Sequence, residues 1–195
     1  MADALGQWLD AMDVQEPIVV ANSLGCQIVT ELAVRRPEQL GPLVLVGPTV
    51  DPARRGGRHQ LFDVLRNSRH EPFSLWAQVA RDGASTDVRP LLGAARAALE
   101  DRIEERLPLI AQPTVVVHGS DDGFVSLEWA ERAAALLPHG RLVVLESEAH
   151  AAHYTRPDLV AKIVRELATG NRDETAPVDA RRRVAASGSG VFAGA

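Results

Sequence analysis

The sequence predicts an α/β fold. We expect a parallel, doubly wound sheet of about four strands, with flanking helices and a mostly helical lid inserted at about residues 50–108. Three observations carry this. Short apolar runs without alternation, such as Leu43-Val44-Leu45-Val46 and Val115-Val116-Val117, read as strands buried on both faces. Segments with apolar residues at helical spacing lie between them. From Val50 to Arg106 no clear strand is visible, while helical periodicity continues.

The elements follow in order. Asp3 to Asp13 reads as an amphipathic helix with Leu5, Trp8, Leu9 and Met12 on one face. Ile18 to Ala21 is the first strand. Ile28, Val29, Leu32 and Ala33 then recur at helical spacing up to Pro37. Leu43 to Val46 is the second strand, stopped by Gly47-Pro48-Thr49. In the insertion, Leu61 to Leu65, Phe73 to Val79 and Pro90 to Arg106 suggest helices, and Phe73 and Trp76 are candidates to line an apolar, substrate-binding pocket. Packing within the insertion's own small core is the competing reading. Strand character returns at Pro113 to Val117, a helix carries Leu127, Ala130, Ala134 and Leu137, and Arg141 to Leu145 is the fourth strand. A loop from Glu146 to Tyr154 holds two histidines. Thr155 and Asp158, with Pro157 between them, have capping-box spacing ahead of a last amphipathic helix. Residues 169–195 lose all periodicity and read as a disordered tail with a basic run at Arg181-Arg182-Arg183.

Composition excludes several classes. The 195 residues include 46% hydrophobic and 24% charged residues, enough for one domain with a real core. The net charge of −5 argues against nucleic acid or an anionic membrane as partner. No basic segment followed by an apolar run opens the sequence, and no stretch reaches the roughly 20 apolar residues of a membrane span. Cys26 is the only cysteine, so no internal disulfide or CxxC site can form. The histidines lack metal-ligand spacing, and no glycine-rich loop of phosphate-binding type follows a strand. The expectation is a cytoplasmic protein with a small-molecule substrate and no metal or cofactor.

The chemistry sits where strands end. Asn22-Ser23-Leu24-Gly25 joins strand to helix without a spacer, which holds Ser23 on a tight turn at the positive end of the following helix. An ordinary N-cap serine is the competing reading. Asp122 follows the third strand and His150 the fourth, and parallel sheets gather their chemistry beyond the carboxyl ends of the strands. A serine hydroxyl needs a histidine to take its proton, and the histidine needs a carboxylate to orient it. Ser23, Asp122 and His150 are therefore the candidate catalytic residues. Asp51 is the rival acid and His153 the rival base or pocket residue. His118 reads as a structural histidine, and Cys26 as a packed, unreactive one.

These residues resemble the motifs of the alpha/beta-hydrolase family over about residues 1 to 168. Ala21-Asn22-Ser23-Leu24-Gly25 is similar to the G-x-S-x-G nucleophile elbow, with Ala21 in place of the first glycine and Gly25 kept where a side chain would crowd strand against helix. Pro113 to Asp122 resembles the family's P-T-L-V-V-x-G-x-x-D segment. Glu148-Ala149-His150 with Tyr154-Thr155-Arg156-Pro157 is similar to its G-x-H…E-x-P segment, with Glu148 replacing a glycine and Thr155 a glutamate. The resemblance implies a serine hydrolase acting on an ester-like or related carbonyl substrate, with the Leu24 N–H in the oxyanion hole.

The family fold runs to eight strands, with the nucleophile after the fifth. The resemblance therefore implies that the four preceding strands and the loop giving the second oxyanion donor are absent from this sequence. Losing one such donor costs about 3 kcal/mol, a hundredfold or more in rate. The alternative expectation is thus a catalytically impaired fragment serving as a binding module. The strand Ile18–Ala21 would become an edge open to self-association.

Overall fold

A computed structural model of the chain describes residues 1–55, 73, 74, 77, 80, 81, 93, 96–169 and 181–184. Its parallel sheet runs in the order β1 (Val19–Asn22), β2 (Leu43–Val46), β3 (Thr114–Gly119), β4 (Gly140–Leu145) and β5 (Arg181–Val184). The described residues include the helices α1 (Ala2–Ala11), α2 (Leu24–Arg35), α3 (Ile103–Arg106), α4 (Leu127–Leu136), α5 (Ala152–Thr155) and α6 (Pro157–Ala168).

The period-two geometry of a strand divides the sheet residues between two cores. Leu43, Leu45, Val116, Leu142 and Val144 pack with residues of α1 to α4 on one face. Val44, Val46, Val115, Val117, Val143 and Leu145 pack with Ala152 and Ile163 of α5 and α6 on the other. Burial on both faces is what removes alternation from the strand sequences. Each fully buried Val or Leu contributes roughly 1.5–3 kcal/mol.

The expected four strands form, with several corrections around them. Residues 181–184, placed in the disordered tail on sequence, pair with β4 as β5. They close the far side of the sheet and leave β1 at the opposite edge, where Val20 is 43% exposed. Helix α1 turns a different face inward from the one expected. Ala2, Gly6 and Leu9 are buried, while Trp8 and Met12 are exposed. The cause is close approach: a Cβ on Gly6 would lie 2.9 Å from the Gln39 amide oxygen and 3.1 Å from Leu32. The segment expected as one helix up to Arg106 breaks after residues 96–100, since Asp101 and Arg102 are not helical. The capping box at Thr155 is not formed either. Arg156 occupies the N-cap position of α6 without a side-chain cap, and the Thr155 hydroxyl is engaged elsewhere. The expected helix at 61–65 and most of that at 73–79 fall outside the described residues.

Candidate active site

Ser23 stands between the end of β1 and the start of α2, with φ 53° and ψ −119°. Non-glycine residues in such a conformation carry a cost of about 1–3 kcal/mol. An ordinary N-cap serine is extended and accepts a hydrogen bond from the second or third helical N–H; Ser23 does neither. Its N–H donates to Val46 O at 3.0 Å and its carbonyl accepts from Cys26 N at 3.0 Å, which fixes the turn and leaves the hydroxyl out of the backbone bonding. Leu24 opens α2, so its N–H has no acceptor within the helix. The expectation for Gly25 needs correction. A Cβ there would lie 3.7 Å from the Ala21 Cβ, an ordinary contact, so a methyl group fits.

Asp122 and His150 meet. Asp122 lies in the turn after β3, where one carboxylate oxygen accepts from the N–H groups of Phe124 (2.8 Å) and Val125 (3.0 Å). The other oxygen lies 2.8 Å from His150 Nδ1, and the two side chains are only 1% and 9% exposed. A carboxylate is acceptor-only, so Nδ1 carries the proton and Nε2 of the neutral ring is the acceptor. Nε2 is buried and has no hydrogen-bond partner among the described residues, Ser23 included. Phe124 supports the imidazole, ring centroids 4.8 Å apart.

The loops carrying this pair are laced together. Ser147 N–H donates to the Ser120 hydroxyl and Asp121 N–H to the Glu148 carbonyl. Gly119 is required at their crossing, since a Cβ there would meet the Glu148 and Ala149 carbonyl oxygens at contact distances no side chain tolerates. The Glu148 carboxylate accepts from the Thr155 hydroxyl at 2.6 Å and lies 3.6 Å from Arg156, anchoring the histidine loop to α5 and α6. Gly47, at the end of β2 with φ 53°, lies directly beneath the pair. A Cβ on it would fall 2.8 Å from two atoms of the His150 ring and 3.1 Å from Asp122.

The remaining candidates are placed elsewhere. Asp51 is 4% exposed but accepts from Ala53 N and from the Ser126 hydroxyl (2.6 Å), the residue that caps α4. It holds two loops together and has no hydrogen bond to His150. His153 is exposed on α5, and Phe73 is 85% exposed. Trp76 lies outside the described residues. His118 is buried within β3. Cys26 is fully buried, its thiol donating to Ala21 O, and burial pushes its pKa well above the ordinary value. Among the described residues no group of three or more His, Cys, Asp or Glu side chains could hold a metal ion, and no helix is long and apolar enough to cross a membrane. Sequence reasoning missed Gly47, read only as a strand stop, and Phe124. It also gave Asn22 no role. The available signal was position: each lies at or just beyond the carboxyl end of a strand.

Comparison with known proteins agrees with this architecture. The model of the alpha/beta hydrolase family matches residues 1–163, and the chain belongs to that family. It is similar to a protein of Agrobacterium fabrum named as a carbamate hydrolase, RutD, with 29% identity over 82% of this chain and 69% of that protein. A 2-hydroxy-6-oxononadienedioate/2-hydroxy-6-oxononatrienedioate hydrolase of Paraburkholderia xenovorans is 25% identical over 84% of this chain and 65% of its own length. Among solved structures, a bromoperoxidase from Bacillus anthracis shares the fold with a TM-score of 0.71 and 14% identity, over 86% of this chain and 72% of that one.

Proposed function

We propose that the chain is a serine hydrolase in which Ser23 is the nucleophile, His150 the general base and Asp122 its orienting acid. The observation that carries the reading is the buried Asp122–His150 bond, which leaves an unpartnered Nε2. An imidazole so oriented is fit to accept a proton, and the Ser23 elbow lies at the carboxyl end of β1 in the same parallel sheet. Catalytic hydrogen bonds are often long in unliganded structures and tighten with substrate, so the open Nε2 is compatible with this role.

In the proposed reaction the Ser23 oxygen attacks an ester-like carbonyl while its proton passes to His150 Nε2. The negative charge on the carbonyl oxygen faces the Leu24 N–H at the start of α2. The tetrahedral adduct collapses, breaking the bond to the leaving group, which takes the proton from His150. Water then attacks the acyl-enzyme, gives its proton to His150, and Ser23 is released as the hydroxyl. Asp122 holds the tautomer and offsets the imidazolium charge in both halves. A small molecule with an ester-like or related carbonyl is the substrate class that this chemistry and the relatives' names support.

A fluorophosphonate probe tests the reading, because it reports a basic, activated serine without requiring the natural substrate. Labelling is expected at Ser23 and is lost in Ser23→Ala. Labelling that survives this substitution, or an unlabelled parent chain, would overturn it; the latter is what a catalytically impaired binding module would show.

A further inference from the structure

Asn22 is the last residue of β1 and directly precedes Ser23. Its carboxamide nitrogen donates twice, to Val46 O at 3.2 Å and to His150 O at 3.2 Å. A primary amide has two N–H groups on one nitrogen, and both are used. The two acceptors come from different parts of the fold: Val46 precedes Gly47, which lies beneath the imidazole, and His150 is 128 residues away in sequence. The other contacts of His150 act on its ring, through Asp122 at Nδ1 and Phe124 beside the ring. Asn22 instead holds its main chain, and does so from the strand that carries Ser23.

We propose that Asn22 is a positioning residue that sets the separation between Ser23 and His150 by tying the main chain of the base to the strand of the nucleophile. The inference rests on the roles given to those two residues above. No other side chain of this size supplies the same pair of bonds. Aspartate has the same shape but presents only oxygens to the two carbonyl oxygens, and leucine or alanine leaves both without this donor. Misplacing reacting groups by about 1 Å is enough to lose roughly a hundredfold in rate.

The test compares the full chain with Asn22→Ala and Asn22→Asp by two readouts. The first is fluorophosphonate labelling of Ser23 as a function of probe concentration. The second is the set of imidazole NMR signals of His150, recorded at a temperature where melting curves show each variant folded. The maximal labelling rate is expected to fall at least tenfold in both variants with the half-saturating probe concentration unchanged, and the His150 signals are expected to shift. A merely structural Asn22 would lower the melting temperature and move neither. Asn22→Asp preserves side-chain volume and covers the case in which Asn22→Ala does not fold. Parent-like labelling rates, or slowed labelling with unmoved His150 signals, would overturn the inference. If the parent itself is not labelled, the proposed reaction fails and the NMR arm alone decides the tether: unmoved His150 signals in both variants refute it.

Discussion

Replacing Gly47 by alanine places one methyl group into the proposed acid–base pair. The added Cβ would stand 2.8 Å from His150 Cε1 and Nδ1 and 3.1 Å from an Asp122 oxygen. Carbon atoms prefer separations of about 3.5–4.0 Å, so the imidazole must retreat by about 0.7–1.2 Å or the β2 end must bend away. A displacement of that size costs roughly a hundredfold in rate, about 2.7 kcal/mol of barrier. The φ of 53° adds about 1–2 kcal/mol of strain for any residue with a Cβ. With a melting shift of about 2–4 °C per kcal/mol for chains of this size, Gly47→Ala is expected to melt about 2–8 °C lower. It should label with fluorophosphonate about a hundredfold more slowly at a temperature where it remains folded. Gly93→Ala is the control, since among the described residues nothing lies within 4 Å of a Cβ there. A Gly47→Ala chain that labels within threefold of the parent would show that His150 is not seated on Gly47 when it reacts, and the reasoning would fall.

Three further outcomes are expected. His150→Ala and Asp122→Asn should each remove most Ser23 labelling, with a double variant little worse than either, while Asp51→Asn lowers the melting temperature and spares the rate; the opposite pattern for the two aspartates would move the acid to Asp51. Cys26 should resist thiol reagents in the native chain and react once on unfolding, because burial disfavours its thiolate; rapid native-state alkylation would contradict the packing. Self-association through the open β1 edge should appear in sedimentation and weaken in Val20→Lys, since a charged residue blunts edge pairing; a strictly monomeric parent would remove the edge as an interface.

The middle of the sheet was legible because β2, β3 and most of β4 are buried on both faces and therefore read as unbroken apolar runs. What escaped notice was set by contacts that side-chain periodicity does not encode. Three arginines give β5 no apolar signature; its strand character comes from backbone pairing with β4. Trp8 and Met12 fit a helical stripe with Leu5 and Leu9, yet the smallness of Gly6 decides which side of α1 approaches α2. Asp101 and Arg102 break a segment whose apolar spacing suggested one continuous helix.

The candidate site divides the same way. Ser23, Asp122 and His150 were legible as candidates because each is a reactive residue type beyond the carboxyl end of a strand. The groups that hold them are ordinary residues whose roles exist only after folding. Glu148 and Thr155 show this most directly. On sequence they are two separate departures from the resembled motif, seven residues apart, and neither carries the chemistry. In the structure the Thr155 hydroxyl donates to the Glu148 carboxylate at 2.6 Å, with Arg156 alongside. A buried carboxylate at 148 without those partners would be costly. The two departures therefore meet in one contact, which anchors the loop that carries His150. Because the Glu148 carbonyl also accepts from Asp121 N, the same residue ties the loop of His150 to that of Asp122.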